Sequence, residues 1–137
     1  MDKPNGLIAV SVTVGGNKVL ANDLDTVFGV KSTSTWTARP EIVAQVPDIN
    51  KEEWRFELPS EACFSFSDAI NRLFKEFENN LEKISSYCLE NKLNVSVHIQ
   101  LYGRRGDFIL GFDKSEAISK LARINAKFYT SIEGIED

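Results

Sequence analysis

Hydrophobic residues recur along this chain with two periods, two and three-to-four, and the changes between them mark out its elements. Ile8, Val10, Val12 and Val14 alternate through Leu7–Val14, the pattern of a strand with one buried face. Gly15-Gly16-Asn17 is a turn signal. Asn22 or Asp23 is placed to cap a short helix, Leu24–Phe28, which Gly29 would stop. Ser32–Thr37, with Trp36, reads as extended, and Pro40 and Pro47 bracket a segment that reads as a loop. Trp54–Leu58 alternates large apolar with charged residues, and Pro59 is expected to end that strand.

The strongest helical signal follows. Ile70, Leu73, Phe74, Phe77, Leu81, Ile84 and Cys88 succeed one another at steps of three and four, which predicts one continuous amphipathic helix. Ser65 and Asp68 have capping-box spacing at its start, with Ser67 as an alternative cap. Asn91 can supply a left-handed residue at its end. Asn94–Tyr102 then alternates cleanly, with Val95, Val97, Ile99 and Leu101 on one face and Ser96, His98, Gln100 and Tyr102 on the other. Gly103–Asp107 looks like the turn of a hairpin returning through Phe108–Phe112. Asp113 and Glu116 have capping-box spacing for a second helix with Ala117, Ile118, Leu121 and Ala122 on its apolar face. Ile124, Ala126, Phe128, Thr130 and Ile132 predict a closing strand, and residues 133–137 a frayed tail.

These stripes are all buried by one arrangement, an α+β fold with an antiparallel-rich sheet and two main helices on one face, ferredoxin-like or a related sandwich. The 137 residues suit a single domain spanning 1–137, without need of a disulfide or metal. An apolar fraction of 42% against 26% charged excludes wholesale disorder. No apolar run approaches the roughly 20 residues of a membrane span, and the first residues lack the apolar core of a signal peptide, so a cytoplasmic location is expected. In that compartment Cys63 and Cys88 are expected to be free, buried thiols.

Charge narrows the partners. The net charge is −4, and residues 52–90 hold nine acids against four bases. Phosphate binding needs a positive surface, so this balance argues against nucleic acid and leaves a basic protein as the fitting partner. Glu76, Glu78 and Glu82 are the acidic candidates on the long helix, with Glu78 and Glu82 side by side on one flank. Trp36 is a candidate aromatic anchor, and Arg104 and Arg105 at the turn can grip a carboxylate or phosphate. Each has a plainer reading: a solvated helix face, a core-edge aromatic, a soluble turn. A metal site and a cofactor are not expected, since His98 is the single histidine and no glycine-rich phosphate loop is present.

A resemblance adds to this. Asp23-Leu24-Asp25-Thr26-Val27-Phe28-Gly29-Val30, then Ser32–Trp36, a strand led by Trp54, a long helix, an alternating strand, a hairpin through Gly106 to Phe112, a helix at Ser115–Ala122 and a closing strand resemble, over nearly the whole chain, a bacterial family of stand-alone domains labelled only as of unknown function. Small domains of this general kind are sometimes encoded beside secreted toxins and act as immunity proteins. The expectation is therefore a non-enzymatic protein-binding domain that neutralises a toxin by direct binding. Two alternatives stay open. One is a small-ligand or regulatory module with a pocket near Trp36, Trp54 and the Arg104-Arg105 turn. The other is an enzyme using carboxylates or His98, assisted by Asp107 or Asp113.

Overall fold

The computed structural model describes residues 6–133 apart from Phe64 and Asp113. Five strands form one sheet in the order β2-β3-β1-β4-β5. They are β1 (Leu7–Gly16), β2 (Ser34–Thr37), β3 (Glu52–Ala62), β4 (Asn94–Tyr102) and β5 (Lys127–Glu133). Pairing is antiparallel except between β4 and β5. Five α-helices punctuate them: α1 (Ala21–Phe28), α2 (Pro40–Gln45), α3 (Phe66–Lys75), α4 (Leu81–Glu90) and α5 (Ser115–Arg123). The fold is α+β with a mostly antiparallel sheet.

The core forms where the period-two and period-three-to-four stripes meet. Val10, Val12 and Val14 of β1 stand opposite Leu58, Phe56 and Trp54 of β3. On the other side Val12 and Val10 stand opposite Val97 and Ile99 of β4, and Val97 stands opposite Phe128 of β5. Opposed residues share a face, so one side of the sheet is almost wholly apolar. It is covered by Leu24 and Phe28 of α1, Ile70, Leu73 and Phe74 of α3, Ile84 and Cys88 of α4, and Ala117 and Leu121 of α5, all buried. Phe28 packs between Trp54 and Phe77, tilted on the first and edge-on to the second, at ring-centroid separations of 4.5 and 5.1 Å.

The long apolar stripe proves to be two helices. α3 stops at Lys75, Phe77 leaves the helical region, and Glu78–Asn80 makes a single 3-10 turn before α4 begins. Asn79 and Asn80 are poor helix formers, and Asn80 uses its amide to donate to the Phe28 carbonyl at 2.8 Å. The break turns both Phe74 and Phe77 into the core, their rings 5.1 Å apart. The stripe survives because every member remains buried. Periodicity reports which face is buried, and a helix bent toward its core keeps that face. Ser65 does cap α3, accepting from the Asp68 amide at 3.2 Å.

Other boundaries move for physical reasons. α1 begins at Ala21 after Leu20, with no side-chain cap from Asn22 or Asp23, and ends as expected on Gly29 at φ 77°. The Pro40–Pro47 segment contains α2, with Pro40 at the first turn where its missing N–H costs nothing. β3 does not end at Pro59. An extra residue on β3, between the pairs Val10–Leu58 and Ile8–Glu61, forms a bulge that accommodates the proline. Arg72 binds that bulge, donating to the Pro59 carbonyl at 3.0 Å and pairing with Glu61 at 3.2 Å. The positive φ after α4 falls at Lys92, not Asn91.

The expected hairpin after β4 is absent among the described residues. β4 already has β1 on one side and β5 on the other, which leaves no edge for a returning strand. Residues 105–107 form a 3-10 turn instead, and Ile109 makes one isolated bridge to Ser65. Phe112 then packs against Phe128 at 5.0 Å. On α5, Ile118 is exposed and Ile124 closes the helix rather than opening the last strand. The Asp113 cap lies outside the described residues, as do residues 134–137 of the expected tail. The backbone amide of Lys114 donates to the buried Ser67 hydroxyl at 3.1 Å, which ties the start of α5 to α3.

Candidate functional site

Because the helices with buried residues lie on one side, no helix with a buried face covers the other side of the sheet among the described residues. Its floor is β1, where Ala9, Ser11 and Thr13 alternate with the core valines. These are short side chains. Their cross-strand neighbours are longer: Ser11 stands between Glu57 of β3 and His98 of β4, Thr13 beside Arg55, and Ala9 beside Gln100. The result is a shallow trough along β1 with charged and polar walls. Those walls shield the floor, and Ser11 is only 2% exposed.

The walls carry defined interactions. Arg55 Nη2 donates to Glu57 Oε1 at 3.4 Å, a same-strand pair with both side chains more than a third exposed. Such a pair adds little stability. Arg55 Nε is buried and has no hydrogen-bond partner among the described residues. His98 Nε2 lies 2.9 Å from the Ser131 hydroxyl, a contact created by the parallel register of β4 on β5. Trp36, 40% exposed, stands opposite Glu53 at the β2 margin, and Tyr129, 53% exposed, stands opposite His98 at the β5 margin. A recess of about 300 Å³ beside Trp36 is lined by Ser34, Thr35, Glu53 and Arg55. A second, of about 360 Å³, lies between Ala9, Glu57, Tyr102 and the β3 bulge.

Burial pushes the His98 pKa below its ordinary value. The nearby Arg55 charge acts in the same direction, and Glu57 opposes it. The imidazole is therefore neutral at neutral pH. Above the unfolded value of about 6.5 both states carry it uncharged. Below that, the unfolded chain takes up the proton first, so stability falls as pH drops toward the lower folded value. Thermal melts between about pH 7 and pH 5 are expected to show a shallower decline for His98→Gln than for the wild type. Identical slopes would mean that burial does not oppose protonation of this imidazole.

The six residues singled out from sequence do not converge. Glu76, Glu78 and Glu82 are exposed around the α3–α4 break, with Glu78 in the 3-10 turn and Glu82 in the first turn of α4. Glu78 and Glu82 therefore belong to adjoining elements rather than to one continuous helix. Trp36 is near the end of the sheet where β4 begins, whereas exposed Arg104 and Arg105 follow the end of β4. Trp54 is fully buried, its indole N–H donating to Asp25 at 2.8 Å, so it lines no pocket. Asp107 accepts from the Arg104 amide at 2.8 Å within its own turn, and Asp113 lies outside the described residues. The Arg55–Glu57–His98 grouping was missed. Strand alternation placed each residue on a polar face, but only the strand order brings those faces together.

Among the described residues no three His, Cys, Asp or Glu side chains gather closely enough to hold a metal ion, and no helix is long and apolar enough to cross a membrane. Both cysteines are free and buried. Burial raises both thiols, Cys88 to about 11, so neither is a ready nucleophile.

The family model described as Domain of unknown function (DUF4279) matches residues 7–133, from the first residue of β1 to the last of β5. The chain belongs to this family. No curated protein and no solved structure matches it. In this DUF4279 domain the resemblance-bearing residues have structural roles. Asp25 of Asp23-Leu24-Asp25 anchors Trp54, and it also accepts from the Ser32 amide at 3.0 Å, which fixes the approach to β2. Asp23 sits 3.4 Å from the Tyr87 hydroxyl on the surface of α4.

Proposed function

We propose that this DUF4279 domain is a non-enzymatic protein-binding module that acts in the cytoplasm as an immunity protein, neutralising a toxin by direct binding. The observation that carries the reading is the open sheet face. Exposed Trp36 and Tyr129 flank a trough of short side chains with charged walls, the mixture of aromatic anchors and polar rim found at protein interfaces. The part-exposed Arg55 guanidinium offers charged donors to a partner's carbonyl or carboxylate. The net charge of −4 and the exposed Glu76, Glu78 and Glu82 favour a basic partner and faster encounter with it.

The test is co-expression with the domain encoded immediately upstream of its gene, scoring cell survival and complex formation. Rescue with a one-to-one complex is expected. Trp36→Ala and Arg55→Glu should each weaken that complex by roughly ten-fold or more. Replacing Glu76, Glu78 and Glu82 together by Gln should slow association with little effect on dissociation. Toxicity without rescue would overturn the immunity reading. Rescue that is insensitive to Trp36 and Arg55 would move the interface away from the open face. The recess beside Trp36 supports a second reading, a small-ligand module, which a thermal-shift screen against carboxylate and aromatic metabolites tests directly.

A further inference from the structure

The sheet has two edges, and they differ. β2, at one edge, is four residues long. β5, at the other, is seven, and it pairs with β4 in unbroken register from Ser96–Lys127 to Tyr102–Glu133. Its outer row of N–H and C=O groups faces no strand among the described residues. A long, regular edge is a template for another strand, and edges are usually shortened, bulged or covered to prevent it. Tyr129 and Ile132 are 53% and 46% exposed, so the side chains of this edge are also poorly covered.

The strand reads Lys127-Phe128-Tyr129-Thr130-Ser131-Ile132-Glu133. Reversed about Thr130 it complements itself. Lys127 meets Glu133, Phe128 meets Ile132, Tyr129 meets Ser131, and Thr130 meets its own copy. Directly opposed residues of an antiparallel pair share a face. Phe128 and Ile132 both follow the core side, opposite Val97 and Leu101, while Lys127, Tyr129 and Ser131 occupy alternate positions on the open side and Glu133 is the next register position of that series. Charge and apolar character therefore match at each register position on the correct face. A slip by one residue would set Phe128 and Ile132 against open-face positions.

We propose that the β5 edges of two copies of this chain pair antiparallel about a two-fold axis at Thr130, joining their sheets into one continuous sheet. The contact is isologous, as in most homodimers. A strand pair of this length buries less than a standard interface of about 1,200–2,000 Å², so the dimer is weak and concentration-dependent. The pairing leaves the β1 trough of each copy uncovered and does not rest on the immunity reading.

Sedimentation velocity over a range of concentrations tests it, with the charge pair as the probe. The wild type should pass from monomer to dimer as concentration rises. Lys127→Glu and Glu133→Lys should each weaken dimerisation by roughly ten-fold, because each sets like charges opposite one another twice per dimer. Mixing the two variants should restore association as a heterodimer, since every pair again becomes opposite in sign. Circular dichroism and melting temperature confirm that both variants fold. A monomer at every concentration would overturn the proposal. So would a dimer indifferent to the single substitutions, or variants that fail to associate when mixed. A partner strand supplied by another protein would give the first of these results.

Discussion

Phe28→Ala is expected to destabilise the fold by about 3–5 kcal/mol, the usual cost of truncating a fully buried phenylalanine. The high end of that range applies because of what surrounds the ring. Phe28 is completely buried and lies between Trp54 and Phe77. Trp54 is on a strand, and Phe77 is held by the α3–α4 break. Neither neighbour can close the void without moving an element of its own. Phe28→Leu should cost less, because it retains most of the volume and loses chiefly the aromatic contacts. Chemical denaturation with equal m-values for all three proteins would measure this. A cost for Phe28→Ala below about 1.5 kcal/mol would mean that the cavity collapses and that the α1 end of the core is loosely packed. Against a typical total stability of about 5–15 kcal/mol, the expected loss is roughly a third or more of a total of about 10 kcal/mol and most or all of one of about 5 kcal/mol.

The same region shows what was legible in the sequence. Alternation alone identified β1 and β4 and their buried faces, because a half-buried strand must alternate. The α3 and α4 faces were equally legible, with the Ser65 cap and the Gly29 stop of α1, whereas on α5 Ala117 and Leu121 are buried but Ile118 and Ala122 are exposed. Element continuity was less so. Ile70 through Cys88 keep their three-and-four spacing across a break, since Phe77 is turned inward by the same core that a straight helix would have faced. The absent hairpin has a different cause. Whether a strand can return beside β4 depends on whether β5 already occupies that edge, and no local pattern near residues 103–112 carries that information. The candidate site was hidden for the same reason. Arg55 and Glu57 share β3 while His98 is on β4, and the adjacency of those two strands through β1 is a property of the sheet order. Exposed acids and turn arginines were easier to notice because they stand out locally, yet the structure scatters them.

The second large effect concerns Asp25, whose role neither alternation nor charge patterning suggests. Its carboxylate accepts from the indole of a fully buried tryptophan and from the Ser32 amide. Asp25→Ala is expected to cost about 1–3 kcal/mol, because it leaves a buried Trp54 N–H without a partner and frees the chain entering β2. Asp23→Ala, two residues earlier on the exposed side of α1, should change stability by less than about 0.5 kcal/mol. Trp54→Phe removes the donor and tests the coupling. If the indole–carboxylate bond dominates, the double variant Asp25→Ala/Trp54→Phe should be more stable than the two single costs added together predict, by about 1 kcal/mol or more. The Ser32 amide limits that recovery, because it still loses its acceptor when Asp25 is removed. Full additivity in the cycle would show that Asp25 acts through the Ser32 turn alone. The Trp54 indole would then be satisfied by water, and the Asp-Leu-Asp segment would matter for the loop geometry rather than for the core.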